Sequence, residues 1–500
     1  MNNEKRIAVI GAGLGGLASA LKLSHAGFNV DVYERLKGPG GKANETRGGG
    51  YRFDMGPSLL TLPEVFRNLI ESVGERLEDH LEIKRLDPIT RYFFDDGTIL
   101  NAYSEIERFA EEVEEKLGEK SENVLNYLQR CRRTYEASTP IFMFKPLHET
   151  STLISTDTIR AFFRTPKMDA FRTMHQLNSR WFKDPRCIQL FDRYATYNGS
   201  SPYMTPATFH LIQHVEYGIG GYTVKGGIYR IPMILEKLAR KKGTEFIYDN
   251  EVDRIIVDDG KAKGVVAGEK RENYDAVVSN SDVTYTYNNL LNDSVTQAAK
   301  KYRRLEPSSS GQVFLWGVGK EFKELELNNI FFSKDYRKEF DDIWKRRSCP
   351  KDPTVYINIT SKVDPADSPP GKENWFVLVN VPYDSGQDWN DEKSKIREAI
   401  LDRLGGVLGD FREDIEFEDT LGPAEIERRY GGNHGSIYGI SSNNRASAFL
   451  RQPNRSRDYR GLFFAGGSAH PGGGMPLVTL SGIHAADQVI RYMGRIMNKG

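Results

Sequence analysis

The first thirty-three residues alternate between apolar and polar positions in an order that reads strand, turn, helix, strand. Arg6–Ile10 carries the β-formers Ile7, Val9 and Ile10, and Asn29–Tyr33 carries Val30 and Val32. Between them Leu14, Leu17, Ala18 and Leu21 recur at helical spacing, in a helix that runs to about Ala26 and stops at Gly27. This is a βαβ opening. Pro88 to Tyr222 reads as mostly helical and is rich in aromatic and charged residues. From Gly226 the chain returns to α/β character, with a helix over Ile231–Ala239 and strands at Phe246–Tyr248 and Val252–Val257. A turn at Asp258–Gly260 follows, and Asp275–Asn280 reads as a further buried strand. Ser309 to Asn454 mixes strands and helices without a nucleotide signature. Gly461–Phe464, a glycine-rich turn and a helix from about Val478 make a second strand-to-helix junction. The chain shows no internal repeat.

At 500 residues and 39% hydrophobic content the chain is long enough for a large core and two structural domains. Lysine plus arginine equals aspartate plus glutamate, 69 against 69. That balance argues against a nucleic-acid partner, whose phosphates need surplus positive charge. Cys131, Cys187 and Cys349 are odd in number and far apart, which predicts a reducing compartment and no metal knuckle. The start carries no charged leader with a cleavable apolar segment. No apolar run reaches the roughly 18 residues a membrane span needs. The histidines and carboxylates show no metal spacing.

Gly11-Ala12-Gly13-Leu14-Gly15-Gly16 fits G-x-G-x-x-G. Gly11 permits the tight turn, Gly13 lets the backbone approach a pyrophosphate, and Gly16 lets helix and strand pack closely. The helix N-terminus offers free N–H groups and partial positive charge to that anion. Glu34, followed by Arg35, ends the second strand at the right distance for ribose hydroxyls, and an acid there disfavours a 2′-phosphate.

Gly40-Gly41-Lys42-Ala43 and then Phe53-Asp54-Met55-Gly56-Pro57-Ser58 resemble the two-dinucleotide-binding flavoproteins, which include amine oxidases and carotenoid desaturases. The stretch from Gly461 to Pro476, with Gly466-Gly467-Ser468-Ala469-His470-Pro471 inside it and Ser481 beyond, resembles the C-terminal signature of the bacterial-type phytoene desaturase family. Gly473 departs from that pattern, where Ser, Thr, Ala or Val is usual. Arg193–Tyr203, Thr205–Thr208, Glu216–Tyr222 and Lys225–Gly227 resemble the family's middle segment. The resemblance covers nearly the whole chain. It implies an α/β two-dinucleotide-binding-domain flavoprotein, with a discontinuous Rossmann-type FAD domain from 1–87, 223–308 and 455–500. A mixed α+β substrate and membrane-associating domain, from 88–222 and 309–454, is inserted into it. FAD is the implied cofactor. Its implied contacts are Gly11, Gly13, Leu14, Gly15, Gly16, Glu34, Arg35, Gly41, Lys42, Met55, Gly56, Pro57, Ser58, Val252, Gly466, Gly467, Gly474 and Met475. The helix after Gly226–Gly227 is expected to approach the flavin, and the backbone of Val252 to contact adenine.

The implied activity is carotenoid desaturation, which puts hydride on the flavin and leaves position, dryness and flavin electronics to the protein. Tyr197–Tyr203 and Met55–Leu62 look closer to desaturases acting at C-3,4 of γ-carotene or a hydroxylated carotenoid than to phytoene or diapophytoene enzymes. Electrons then pass to a quinone or oxygen. His470 is the candidate base, although a histidine in such a loop more often bonds backbone. Tyr197, Tyr203 and Tyr222 are read as core or as tunnel lining. A polyene stored in a bilayer requires contact with the membrane surface. Arg160–Arg186 is the candidate for that contact, because aromatic and basic residues interleave along it. The implied location is cytoplasmic, peripheral to the cytoplasmic membrane. The competing readings are another flavin enzyme, such as an amine oxidase or retinol saturase, and a non-redox prenyl-lipid binder of the GDP-dissociation-inhibitor type.

Overall fold

The computed structural model describes residues 5–143, 169, 171–444 and 451–497. Strand Arg6–Ile10, helix Leu14–His25 and strand Asn29–Tyr33 form where the apolar periodicity places them. The two strands pair in parallel, Val9 opposite Val32. They sit in a five-stranded parallel sheet ordered 462–464, 276–279, 6–10, 29–33 and 245–247. Ile7, Val9, Val30 and Val32 are almost fully buried, as expected of a parallel sheet covered on both faces. The strand at 254–258 begins two residues beyond Val252, in a separate three-stranded antiparallel sheet. The last helix begins at Met475, a turn earlier than Val478, and runs to Met497.

That helix crosses the first one at very close range. A Cβ on Gly482 would stand 2.1 Å from the Gly15 carbonyl oxygen, and Ser19 Oγ donates to the carbonyls of both Gly15 and Gly482 at 2.9 Å. Small residues at the crossing thus bring the first and last nucleotide-like turns side by side.

A second sheet has seven strands in the order 415–421, 310–318, 373–381, 355–358, 328–331, 90–93 and 99–102. Its last two members correct the expectation of a mostly helical 88–222. Thr90–Phe93 and Ile99–Ala102 form a hairpin whose first strand runs parallel to Asn328–Phe331. Helices follow only from Ile106. The Asp96-Gly97 pair between two β-rich runs is the signal for this hairpin.

A buried ion cluster ties the Tyr51–Asp54 strand to the Pro365–Asp367 turn. Arg52 Nε donates to Asp367 Oδ1 at 2.6 Å and Nη1 to Asp54 Oδ1 at 3.0 Å, with all three side chains 3–4% exposed. Asp54 also accepts the Ile228 N–H at 3.2 Å, and a Cβ on Gly227 would meet the Arg52 guanidinium at 2.3 Å. The Phe53–Ser58 motif is therefore anchored from both sides.

Residues 160–168 and 170 of the expected membrane-contacting stretch lie outside the described residues. Within the rest, the apolar side chains largely face inward. Met174, Leu177 and Phe182 are buried, and Phe182 stacks on Phe191 at 4.8 Å. Phe171 is 71% exposed. Among the described residues no helix is long and apolar enough to cross a membrane.

Candidate functional site

One cleft of about 480 Å³ runs between the two sheets. Its first end is built on the strand tips of the parallel sheet. Gly11 has φ +94, and a Cβ on Gly16 would lie 2.0 Å from the Gly11 carbonyl oxygen, so that turn tolerates nothing larger than glycine. Gly13 faces Gly41 across it, since a Cβ on Gly41 would come within 3.4 Å of Gly13 Cα. Glu34 closes the tip of the second strand. Its carboxylate accepts the Ala12 N–H at 2.7 Å and the Leu36 N–H at 2.9 Å. Burial pushes this carboxyl up from its ordinary range, against the pull of those two N–H groups.

Arg35, Lys42 and Arg429 bring cationic side chains to the same end. Lys42 Nζ donates to the carbonyls of Ile437 at 2.7 Å and Ser436 at 3.1 Å, and burial pushes its pKa down to about 8. Asn280 joins the first and last turns. Its Nδ2 donates to the Gly11 carbonyl at 3.3 Å, while its buried Oδ1 has no hydrogen-bond partner among the described residues. A Cβ on Gly15 would stand 2.5 Å from that oxygen and 3.0 Å from the Gly466 nitrogen.

Gly11, Gly13, Leu14, Glu34, Arg35, Gly41 and Lys42 all line the cleft, as do Met55, Gly56, Pro57, Ser58 and Val252. Gly466, Gly467, Gly474 and Met475 line it from the C-terminal turn. A Cβ on Gly474 would meet nothing within 4 Å, so the loop opens there. Gly15 and Gly16 do not line the cleft, because they are consumed in packing the helix onto the strand and onto the C-terminal turn. No residue of Gly226–Lys241 reaches it, which corrects the expected approach of the Ile231 helix. That helix packs behind the sheet, with Pro232 against Gly40. His470 also lies behind the loop. Its N–H donates to the Gln452 carbonyl at 2.9 Å, its own carbonyl accepts Asn454 Nδ2 at 2.8 Å, and its ring stacks on His484 at 5.9 Å. It therefore holds backbone and faces no open space in which a substrate could sit.

The residue at 473 has a structural reason to be glycine. A Cβ there would press on Tyr438, at 3.0 Å from Cδ1 and 3.2 Å from Cβ. Tyr438 belongs to a segment that the sequence left without a nucleotide role, yet Arg429, Tyr430, Gly432 and Ile437–Gly439 all border the cleft. Arg451 ties this segment to the turn, donating to the carbonyls of Gly467 at 2.8 Å and Ile440 at 3.2 Å. Burial pushes the Arg451 pKa down to about 10.

The far end of the cleft is walled by the seven-stranded sheet. Val313, Ile330, Phe376, Leu378, Leu421 and Ile426 supply apolar surface. Tyr197 lines this end, whereas Tyr203 packs away from it on His175 at 4.6 Å and Tyr222 pairs with Leu60. A polar group closes it. Arg193 Nη2 donates to Glu216 Oε1 at 2.7 Å and Nε to the Tyr92 hydroxyl at 2.8 Å, and the Tyr197 hydroxyl donates to Glu216 Oε2. The Tyr356 hydroxyl donates to Asn328 Oδ1 at 2.8 Å and shares a 2.6 Å bond with Ser58 Oγ.

A parallel sheet with glycine turns at two strand tips, an acid at a third and free N–H groups at two helix starts defines a dinucleotide-binding protein of the Rossmann type. Residues 14–490 match the family described as flavin containing amine oxidoreductase. A 1-hydroxycarotenoid 3,4-desaturase of Flavobacterium sp. (strain P99-3) is 41% identical over 486 residues, covering 97% of this chain and 99% of its own. A 4,4'-diapolycopene oxygenase of Methylomonas sp. is 35% identical, covering 98% and 99%. An oxidoreductase of Methanosarcina mazei shares the fold, with TM-score 0.66 at 17% identity over 96% of this chain and 100% of its own. The chain belongs to the flavin containing amine oxidoreductase family. It is an FAD-dependent oxidoreductase.

Proposed function

We propose that this protein is a carotenoid desaturase, acting at C-3,4 of γ-carotene or a 1-hydroxycarotenoid. The observation that carries the reading is the continuity of one cleft, from dinucleotide-type turns at one end to an apolar wall closed by one polar group at the other. The full-length similarity to a relative named for this reaction supports it. The two sheets also support the division into a cofactor domain and an inserted substrate domain.

FAD, when bound, supplies the acceptor for the hydride that leaves carbon. The chain's own residues hold and dry the site. Glu34 would hold ribose hydroxyls, and the N–H groups after Gly11–Gly13 would face the pyrophosphate with Lys42, Arg35 and Arg429 beside them. Met55–Ser58 and Gly466–Met475 would frame the redox ring, with the first turn of the Met475 helix presenting unpaired N–H groups. The apolar wall keeps water from the reacting carbons and orients the polyene. Conjugation in the substrate spreads the charge that develops, so the reaction calls for no strong general base. The reading extends to peripheral contact with a membrane surface, which a bilayer-stored substrate requires, and to a quinone or oxygen as the onward electron acceptor.

The full-length similarity to relatives named for carotenoid reactions favours this reading over an amine oxidase. The FAD-loaded protein, incubated with a hydroxylated or γ-type carotenoid and an acceptor, should lengthen the conjugated system. The absorbance maxima of the extracted pigment then move to longer wavelength. Unchanged pigment across linear carotenoids of every desaturation level would refute the reading.

A further inference from the structure

The polar group at the far end of the cleft contains donors and acceptors that the fold leaves unused. Arg193 is 6% exposed and commits Nε to Tyr92 and Nη2 to Tyr194 and Glu216, but its Nη1 has no hydrogen-bond partner among the described residues. The hydroxyls of Thr90 and Tyr336, both buried residues that line the cleft, also have none. The three belong together. Thr90 and Tyr92 share one face of a strand, Tyr92 holds Arg193, and Phe332 stacks on Tyr92 at 5.7 Å and meets Tyr336 edge-on at 5.8 Å. Asn328 fixes the neighbouring strand by donating to the Ile89 carbonyl at 2.9 Å.

Polar groups that face the cleft without a partner suit a ligand that supplies one, because a site built to hydrogen-bond a hydroxyl discriminates against the analogue lacking it. The charge of Arg193 is already balanced by Glu216, so the group offers hydrogen bonds without net charge. That suits a neutral oxygen better than a carboxylate or an ammonium. Resting on the proposed desaturation, we infer that Arg193, Thr90 and Tyr336 form a docking site for the terminal hydroxyl of a hydroxylated linear polyene. Arg193 Nη1 donates to the hydroxyl oxygen, and Thr90 or Tyr336 accepts its proton.

The chemistry of the substrate requires such a site to lie beside the redox centre. A hydroxyl on C1 is separated from C3 by a single carbon, so the hydroxyl site cannot be remote from the bond being oxidised. The polar group meets that condition. Tyr356, bonded to Asn328, is also bonded to Ser58, which belongs to the Met55–Ser58 segment proposed to frame the flavin. A hydroxyl held here fixes which bond reaches the flavin, because the end group sets the register of the whole polyene.

The test compares a 1-hydroxylated linear carotenoid with its deoxy counterpart of equal length and conjugation. Both kcat/KM and equilibrium binding, read by quenching of tryptophan fluorescence, are measured. The FAD-loaded wild type should prefer the hydroxylated substrate by at least about a hundredfold, as sites built around a hydroxyl do. Thr90→Val, Tyr336→Phe and Arg193→Lys should each lower that preference about tenfold, in binding as well as in kcat/KM. Arg193→Lys keeps a charge opposite Glu216, and flavin content with melting temperature identifies any variant that has misfolded. Desaturation of both polyenes without preference, or equal losses on both in all three variants, overturns the hydroxyl site and leaves the desaturase standing. Failure of the wild type to desaturate either one overturns the desaturase and the site with it.

Discussion

Gly15 and Asn280, 265 positions apart in sequence, are so closely apposed that a Cβ on Gly15 would lie 2.5 Å from the Asn280 amide oxygen. The same Cβ would crowd the Gly466 nitrogen at 3.0 Å. Gly15→Ala must therefore push the first helix off the C-terminal turn, at a cost of about 1–3 kcal/mol typical of overpacking. The purified variant should retain little flavin and melt earlier. Asn280→Ala, which loses only the bond to Gly11, should keep more. The flavin-to-protein absorbance ratio of the two variants checks both statements.

Lys42 makes FAD binding pH-dependent. Its pKa in the free protein is pushed down to about 8 by burial. A pyrophosphate beside it favours the charged form, so binding takes up a proton wherever the free protein has lost it. Affinity should be level below about pH 8 and should fall above it, by up to about tenfold per pH unit. The unfolded chain holds its lysine proton to about pH 10.4, so stability of the FAD-free protein should rise with pH between those two values. Isothermal titration of the FAD-free protein across this range checks the first sign, and Lys42→Met should flatten the dependence.

Arg52 sits between two carboxylates out of water, with Asp367 at 2.6 Å and Asp54 at 3.0 Å. Arg52→Ala leaves both acids buried without their cation, which costs about 3–5 kcal/mol. Urea denaturation of the FAD-loaded protein should register that loss. Lys225→Ala, which removes an exposed pair with Glu82, should leave the denaturation midpoint nearly unchanged.

His470 faces Asn454, Gln452 and His484 and does not line the cleft. His470→Asn should therefore shift the melting temperature while leaving the shape of the pH–rate profile unchanged. A lost limb in that profile would restore the histidine as a base.

Gly473→Val should displace Tyr438, which a Cβ already meets at 3.0 Å. The expected outcome is weaker flavin retention and a changed flavin spectrum, with Gly474→Ala limited to the strain of its φ of +97.

The nucleotide half of this fold was legible because its requirements are local. A turn with Gly11 at φ +94 and Gly16 against the Gly11 carbonyl demands glycine at fixed spacing, and the helix and acid follow within one βαβ unit. The substrate half was not legible, because its residues meet only through strand order. Thr90 lies beside Asn328 since the 90–93 strand pairs in parallel with 328–331, and no periodicity announces a pairing across more than two hundred residues. Arg193, Tyr356 and Tyr438 reach the cleft in the same way. The Arg429–Gly439 segment carries no motif, and it was missed although it forms part of the cofactor end. Gly16 serves the close helix–strand packing that the motif implies, and Gly15 meets the C-terminal turn.

The crossing of Gly15 with Gly482 also sets a timetable for the newborn chain. The first glycine turn leaves the ribosome long before the helix at 475–497 exists to brace it. Until then the parallel sheet lacks its 462–464 edge and the flavin cradle lacks one side. Flavin capture must therefore follow synthesis, and a chain truncated before residue 475 should accumulate as a colourless, protease-sensitive species even where FAD is abundant.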